Sequence, residues 1–520
     1  MSAERYEVVV VGSGAGGGVV AGELAERGRR VLLLEAGPHR TAADFTRWEA
    51  KANHDIWWPL SFAEPADGAG PPLLLFRGRC VGGTTAINTK VALRPDAHDL
   101  AKWHEATGLL GDSGEPFGEP DLAPWFDHVE DRLGVRERSD WQRCVLTVVP
   151  GFEALGASLE PVMSYTDANC MRCGSCLQGC PTNAGKSTAN TWIHPPWARG
   201  ELDLRPDCTV TRVVIEEGGE GPEATGVEWI GPDGTRESAG ADAVVVAAGA
   251  LGTPGLLLRS GIAAAAGGSP SSGGIGQHLG FHPARLVQGL FDEIQDAHMV
   301  YPISAHCMDF RHDEDGGFVV EASTVQDPIG FATGLCDETG RPMWGAELVE
   351  TVRRYRYISG LLTMVSDENH GAAWVDADGR DRYSYAFSET EQERNQRSLQ
   401  FAQEVLQAAG ARRVFHTDVL STHLQGGCRM GSDPARSVLD AHGESHDVRR
   451  LFVGDSSVMA RTPAVNPSLT IMALAARLAD HLDRNERGYL SGATTASTSS
   501  GSRRPASVPS ASASVAVNSS

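Results

Sequence analysis

The stretch EVVVVGSGAGGGVVAGELAERGRRVLLLEAG, residues 7–37, decides the fold of the N-terminal part of this 520-residue chain. It opens with a continuous β-branched run from Val8 to Val11, as expected of a strand that is buried on both faces. Gly12, Gly14 and Gly17 follow in the spacing Gly-x-Gly-x-x-Gly, and RVLLL then has the pattern of a second strand. The order strand, glycine-rich turn, helix, strand predicts a Rossmann-like nucleotide-binding unit.

The chemistry of this turn indicates the ligand class. The first glycine allows a tight turn, the second lets a pyrophosphate approach the backbone, and the third lets helix and strand pack closely. The helix N-terminus adds free N–H groups and a positive dipole. Glu35 follows the second strand, where a carboxylate accepts hydrogen bonds from both ribose hydroxyls and repels a 2′-phosphate. We therefore expect FAD or NAD, and this motif alone does not separate the two.

Composition excludes several classes of protein. The formal net charge of -22 argues against partners such as nucleic acid or an anionic membrane. No apolar run is long enough for a membrane span, and the N-terminus lacks the pattern of a signal peptide. Because the first predicted strand begins almost at once, we expect a cytoplasmic protein, and ten cysteines in such a chain indicate thiols or metal ligands more than disulfides. Residues 490–520 are rich in Ser and Ala and are predicted to form a disordered tail.

A second segment, RGRCVGGTTAINTKVALRP at residues 77–95, carries two adjacent glycines and small hydroxyl residues that suit a flat, bulky ligand. It resembles the first signature of the glucose–methanol–choline (GMC) oxidoreductases, flavoenzymes that oxidise alcohols. Four more segments resemble that family, in the family's order along residues 6–485. They are CTVTRVVI (208–215), ADAVVVAAGALGTPGLLLRSGI (241–262), GIGQHLGFHP (274–283) and LFVGDSSVMARTPAVNPSLTIMALAARLADHL (451–482).

The resemblance implies an α/β composite fold, in which a Rossmann-like FAD-binding domain interleaves with a substrate domain built on an antiparallel sheet. Residues 6–280 would be mainly FAD-binding, 281–416 the substrate domain, and 417–488 the return that carries the catalytic residues. Because the first signature offers no histidine, we expect noncovalent FAD. The implied FAD-binding residues are Gly12, Gly14, Gly17, Glu35, Gly82, Gly83, Thr84, Asn88, Val210, Gly249, Asp455 and Pro467.

Alcohol oxidation requires a base that takes the hydroxyl proton as the hydride leaves, and histidine suits this task. A second hydrogen-bonding side chain must hold the oxygen. In STHLQGGCRMG, His423 occupies the position of the family's catalytic histidine. In PAVNPSLT, Asn466 aligns with the family's partner position, which is His or Asn. An alternative for Asn466 is to begin the following helix.

The run NCMRCGSCLQGCP, residues 169–181, lies in a cysteine-rich insertion at 165–195 and has the spacing of bacterial iron–sulfur ferredoxins. Its four candidate ligands are Cys170, Cys173, Cys176 and Cys180. A more distant cysteine, Cys144 or Cys208, is an alternative fourth ligand, and a three-iron cluster is an alternative form. Zinc and plain packing thiols are the other interpretations that the spacing leaves open.

The leading hypothesis is FAD-dependent oxidation of an alcohol to an aldehyde or ketone. The branch resembles long-chain alcohol oxidases, which implies an apolar or sterol-like substrate. The alternative is a sugar or aminoglycoside hydroxyl, with electrons leaving through an iron–sulfur cluster. Dioxygen, a quinone or a protein carrier could accept the electrons. A non-catalytic electron-transfer flavoprotein is the rival class, although electron relay needs neither His423 nor Asn466. We expect Trp57 and Trp58 to pack in the core.

Overall fold

The structure is a computed structural model that describes residues 4–68, 70–323 and 328–491. The predicted disordered tail, 490–520, lies outside the described residues from position 492 onward. Its first two residues belong to the folded part. Leu490 is buried, and the Ser491 N–H donates a 2.9 Å hydrogen bond to Asp242.

The first sheet is built around the predicted N-terminal strand, Glu4–Val11. That strand pairs in parallel with Val31–Leu34 on one side and with Arg236–Val246 on the other. The predicted helix follows the glycine-rich turn as Gly17–Glu26 and packs against Ser468–Arg484. The strands of this sheet are Glu4–Val11, Val31–Leu34, Leu202–Arg205, Thr209–Gly218, Gly221–Ile230, Arg236–Val246 and Leu451–Val453.

The second sheet has fifteen strands, with antiparallel pairing of Ile358–Val365 to Ala284–Leu290 and to Phe318–Ser323 at its centre. Several of its strands precede residue 281, the predicted start of the substrate domain. The two parts therefore alternate along the chain more often than the three predicted contiguous segments imply. The strands are Ser61–Pro65, Leu73–Leu75, Arg136–Arg138, Glu160–Ser164, Gln277–Gly280, Ala284–Leu290, Ile303–Cys307, Phe318–Ser323, Leu335–Asp337, Ile358–Val365, Gly371–Val375, Asp381–Tyr385, Arg413–Thr417, Leu420–Ser421 and Gln425–Gly426.

The longest helix, Glu389–Ala408, covers the second sheet as its sequence pattern predicts. Ser388 caps it by accepting a hydrogen bond from the Glu391 backbone N–H at 3.1 Å. The other α-helices of the described residues are Gly17–Glu26, Glu49–Ile56, Ala97–Thr107, Glu119–Leu133, Arg143–Ala154, His194–Ala198, Gly249–Arg259, Ile262–Ala265, Pro270–Gly273, Pro328–Ala332, Gly345–Arg353 and Ser468–Arg484. None of these helices combines the length and apolar character that crossing a bilayer requires. The predicted α/β composite of two interleaved parts is confirmed.

Candidate active site

A large cavity of about 460 Å³ is lined by residues of both sheets. Of the predicted cofactor-binding residues, Gly17 and Gly82 lie outside its lining. The predicted residues that line it are Gly12, Gly14, Glu35, Gly83, Thr84, Asn88, Val210, Gly249, Asp455, Pro467, His423 and Asn466. The fold therefore brings together residues that are up to about 450 positions apart in the sequence.

The glycine-rich turn presents bare backbone to this cavity. Gly12 has φ +96, and a Cβ there would lie 2.3 Å from the Ala247 carbonyl oxygen. A Cβ on Gly17 would lie 2.0 Å from the Gly12 carbonyl oxygen, so this position packs the helix against the turn. A Cβ on Gly14 would meet no atom within 4 Å and would project into open space. The turn is closed on its inner side and open where a pyrophosphate would approach.

Glu35 is held by the turn itself. Its carboxylate accepts hydrogen bonds from the backbone N–H of Ser13 at 3.0 Å, from the Ser13 hydroxyl at 2.6 Å and from the Gly37 N–H at 2.8 Å. Burial raises the pKa of Glu35, against these three hydrogen bonds. A carboxylate offers about four acceptor positions, so one remains for a ligand. The Ser13 hydroxyl also accepts from the Gly82 N–H at 2.9 Å, a connection that the sequence did not reveal.

Asp455 is fully occupied by protein donors. One carboxyl oxygen accepts from the Gly249 N–H at 2.8 Å and from the Thr253 hydroxyl at 2.5 Å. The other accepts from the N–H and the hydroxyl of Ser457, at 2.7 and 2.6 Å. Asp455 thus ties the second glycine-rich segment to the C-terminal block, and its contribution to the cavity is positional.

Thr84 and Asn88 of the first signature line the cavity. The Thr84 hydroxyl accepts a 3.0 Å hydrogen bond from the Gly78 N–H, and the Asn88 amide donates to the Tyr165 hydroxyl at 2.6 Å. A Cβ on Gly83 would lie 2.8 Å from the Gly14 Cα, so the two glycine segments meet directly. This close approach places both segments on one wall of the cavity.

His423 has a defined tautomer in the hydrogen-bond network. His282 Nε2 lies 2.5 Å from the Pro463 carbonyl oxygen, which can only accept, so that nitrogen carries the proton. Burial lowers the pKa of His282 to about 4, which keeps it neutral, and its Nδ1 is therefore an acceptor. His423 Nδ1 lies 3.1 Å from that nitrogen and 3.1 Å from the Met364 sulfur. His423 therefore carries its proton on Nδ1, and its Nε2 has a free lone pair.

Desolvation by the surrounding side chains lowers the pKa of His423 to about 3, and the nearby His282 acts in the same direction. The imidazole is neutral at physiological pH, which is the form that a base requires. His282 was part of a motif that pointed to the family, but the sequence assigned it no role.

Asn466 lines the same cavity, and Glu321 lies beside Asn466 without lining the cavity itself. Asn466 is buried, and its Oδ1 has no hydrogen-bond partner among the described residues. The helix Ser468–Arg484 follows it without a side-chain cap, which argues against the helix-start alternative. Burial raises the pKa of the Glu321 carboxyl to about 7, while the Asn466 side chain beside it lowers that pKa. No hydrogen bond of standard geometry reaches either carboxyl oxygen of Glu321 within the described part of the chain.

The sequence missed Glu321, although one signal was present. It is an ionisable residue within an apolar strand, Phe318–Ser323, where the pattern predicts burial on both faces.

Apolar side chains complete the lining of the cavity, most of them from the second sheet. Trp57 and Trp58 also line the cavity, which is the alternative to core packing, and Trp57 packs against a small hydrophobic cluster as well. Trp58 faces Arg77, whose guanidinium lies 4.5 Å from the ring centroid and occupies part of the ring surface. The aliphatic residues of this wall include Leu177, Leu286, Ile303, Leu362, Leu420 and Leu424.

The four cysteines of the run do not line the large cavity. Cys170, Cys173, Cys176 and Cys180 surround a separate, small cavity, and no disulfide joins them. Neither alternative fourth ligand reaches that small cavity. Cys144 is buried in the core under the second sheet, and Cys208 lines the large cavity.

The residues of the large cavity fit FAD. The open space at Gly14 suits a pyrophosphate, and Glu35 keeps one acceptor position for a ribose hydroxyl. The side chains of His423 and Asn466 line the same cavity.

Comparisons with known proteins agree with this geometry. The family models described as GMC oxidoreductase match residues 6–284 and 363–475. An uncharacterised GMC-type oxidoreductase of Mycobacterium tuberculosis is 31% identical over 92% of this chain and 76% of its own length. A 2-methyl-1,2-propanediol dehydrogenase of Mycolicibacterium austroafricanum is 27% identical over 95% and 98%. A long-chain-alcohol oxidase of Arabidopsis thaliana is 28% identical, over 91% of this chain and 66% of its own length.

Among solved structures, pyridoxine 4-oxidase from Mesorbium loti superposes with a TM-score of 0.71 at 21% identity, covering 92% of this chain and 99% of that one. This likeness concerns the fold. Since the two family models together match well over half of the sequence, the chain belongs to the GMC oxidoreductases, FAD-dependent enzymes that act on alcohols.

Proposed function

We propose that this protein oxidises an apolar primary or secondary alcohol to the aldehyde or ketone, with His423 as the base and Asn466 as the group that holds the alcohol oxygen. The observation that carries the proposal is that two side chains suited to these roles line one cavity. One is the neutral imidazole of His423 with its free Nε2, and the other is the side-chain amide of Asn466, whose N–H groups can donate to the alcohol oxygen.

The chain's own residues would divide the work. His423 would receive the hydroxyl proton on Nε2, while His282 holds the His423 ring through Nδ1. The Asn466 amide would donate a hydrogen bond to the alcohol oxygen and stabilise negative charge that develops there. Glu321, behind Asn466, would orient that amide. FAD, when bound, supplies the acceptor for the hydride.

The apolar wall supports the substrate class. A polyol would require several hydrogen-bonding partners, whereas the second sheet contributes Leu286, Ile303 and Leu362 to the lining of the cavity. Burying an alkyl chain against such a surface contributes about 0.8 kcal/mol for each CH₂. We therefore favour an alkyl or sterol-like alcohol over a sugar or an aminoglycoside.

The test is anaerobic mixing of the yellow, FAD-loaded protein with one long-chain primary alcohol, one sugar and one aminoglycoside. We expect the long-chain alcohol to bleach the flavin absorption fastest. His423→Ala should retain FAD and slow the bleaching by about 10²–10⁴-fold, the usual contribution of a positioned base. The matched control is His446→Ala, because His446 bonds the Ser437 hydroxyl at 3.0 Å and does not line the large cavity. Undiminished bleaching by the His423 variant would contradict the base assignment.

A further inference from the structure

The cysteine cavity is the small space enclosed by the thiols of Cys170, Cys173, Cys176 and Cys180. The six other cysteines of the chain are all buried, as packing thiols are expected to be. In the run, by contrast, Cys170, Cys173 and Cys180 are only partly buried. Thiols that merely fill a core would not keep this exposure while converging on one space, so packing alone does not explain the arrangement.

The backbone around the cysteine cavity brings the four cysteine side chains together. Arg172, Gly174, Gly179 and Asn183 all have φ between +55 and +94, so the chain curls repeatedly within twelve residues. A Cβ on Gly174 would lie 1.9 Å from the His298 carbonyl oxygen, which fixes this loop against the rest of the protein. Left-handed conformations of Arg and Asn carry a cost that the surrounding structure must offset. Their presence here indicates a built site.

The spacing of the thiols separates zinc from a cluster. Four thiolates on one tetrahedral zinc stand about 3.8 Å apart, because each zinc–sulfur bond is about 2.3 Å. Within the described residues, no three donor atoms that include a cysteine lie within 4.8 Å of one another. In an iron–sulfur cluster each cysteine binds its own iron, so the four thiolates surround the cluster without touching. The spacing of the thiols therefore favours a cluster, because a zinc ion would require them to draw closer together.

A buried cation stands beside these thiols. Lys90 is only 1% exposed, and the acidic groups that act on it are the thiols of Cys176, Cys180 and Cys80, with no carboxylate of the described chain among them. Lys90 Nζ donates to the Thr85 carbonyl oxygen, but a buried ammonium without an anionic partner is costly, and a cluster with four thiolate ligands carries net negative charge that would compensate it. The Gly185 N–H also donates to the Cys180 sulfur at 3.2 Å, the kind of hydrogen bond that stabilises cluster thiolates.

The cysteine cavity and the large cavity are neighbours. The short 3-10 helix Ser175–Gln178 separates them, with Cys176 on the small cavity and Leu177 on the large one. Tyr165, which is fully buried, bonds both Asn88 and Ser468, and these two residues line the large cavity. A group held by the four cysteines would therefore lie one layer of side chains from the flavin site.

We propose that Cys170, Cys173, Cys176 and Cys180 bind an iron–sulfur cluster that takes electrons from the flavin one at a time. This inference rests on the proposed function for its electron source. Oxidation of one alcohol to the carbonyl releases two electrons and two protons. The electrons leave through the cluster in two single steps to two molecules of a one-electron carrier protein, and the protons pass to solvent.

The test begins with the full-length chain purified without oxygen and, in parallel, reconstituted with ferrous iron and sulfide. We expect about four iron and four inorganic sulfide per chain, together with FAD. Reductive titration should take up about three electrons per chain, two for FAD and one for the cluster. A long-chain alcohol, added without oxygen, should generate the paramagnetic signal of the reduced cluster.

Variants make the assignment specific. Cys176→Ser should lose the iron, the sulfide and the third electron, and should retain FAD and the bleaching of flavin by alcohol. The matched control is Cys336→Ser, a buried cysteine in the strand Leu335–Asp337, which should keep the full iron content. Wild-type composition decides the question even if the Cys176 variant does not fold.

Two results would overturn the proposal. One is FAD-loaded wild-type protein without iron and sulfide after reconstitution, and the other is a single zinc ion per chain. Either would leave bleaching by alcohol unaffected, so failure of the cluster is distinguishable from failure of the proposed alcohol oxidation.

Discussion

The two walls of the large cavity treat their buried polar groups in opposite ways. On the nucleotide wall, Glu35 and Asp455 accept three and four hydrogen bonds from the protein. On the wall that carries His423 and Asn466, the side-chain oxygen of Asn466 has no partner among the described residues, and neither carboxyl oxygen of Glu321 beside it has one. The protein completes the surface that shapes a cofactor site and leaves incomplete the surface that would meet a reacting molecule.

Removing the side-chain amide of Asn466 should have the largest effect of the changes considered next. Asn466→Ala should slow flavin reduction by alcohol about 10²–10³-fold, the usual cost of losing one donor to a developing oxyanion. Rapid-mixing absorbance without oxygen measures this rate. FAD content should not change, because the cofactor contacts of the nucleotide wall remain. A variant that reduces flavin normally would show that the Asn466 side chain has a structural role. The contrast between the two walls would then have no functional meaning.

Glu321 should make stability depend on pH. Its folded pKa is raised from 4.5 to about 7, so the neutral carboxyl contributes stability that is complete below pH 4.5 and is lost as pH rises through 7. The difference of about 2.5 pKa units corresponds to at most about 3 kcal/mol between pH 4.5 and pH 8. Glu321→Gln should remove most of this dependence in denaturant unfolding.

Glu160→Gln is the control for that measurement, since Glu160 is exposed and lies two strands away in the same sheet. It should leave the pH dependence of the wild type unchanged. An unchanged slope in the Glu321 variant would mean that another group titrates in this range.

The contrast also explains what the sequence could predict. The turn at Gly12, Gly14 and Gly17 is local, because its chemistry needs only backbone that a few consecutive residues supply, so spacing alone predicted its geometry. Glu321 and His282 act through partners more than 130 positions away. Strand periodicity shows that such a side chain is buried, but it cannot show which distant residue it meets. Trp57 both lines the cavity and packs against a hydrophobic cluster, and the sequence could not separate these roles because core and cavity lining look alike in a sequence.

A substitution that changes the shape of the nucleotide wall should weaken FAD binding. Gly14→Ala places a methyl group where no protein atom lies within 4 Å, so we expect normal folding and FAD affinity reduced by about 2 kcal/mol, roughly thirtyfold. Gly219→Ala is the matched control, because a Cβ there also meets no atom within 4 Å and the residue lies in an exposed turn far from the cavity. Equal FAD affinity in the two variants, measured by titration of the apoprotein, would remove the pyrophosphate from this turn.

The smallest effect should come from His282, which acts on the reaction only through His423. In His282→Leu, the His423 Nδ1 proton loses its acceptor, the two tautomers become comparable in population, and flavin reduction should slow by about tenfold, or 1.4 kcal/mol. In His282→Gln, the side-chain amide can donate to the Pro463 carbonyl while its oxygen accepts from His423 Nδ1, so the rate should recover. FAD content should be the same in both variants. If glutamine slows the reaction as much as leucine does, His282 contributes packing and the tautomer of His423 is set elsewhere.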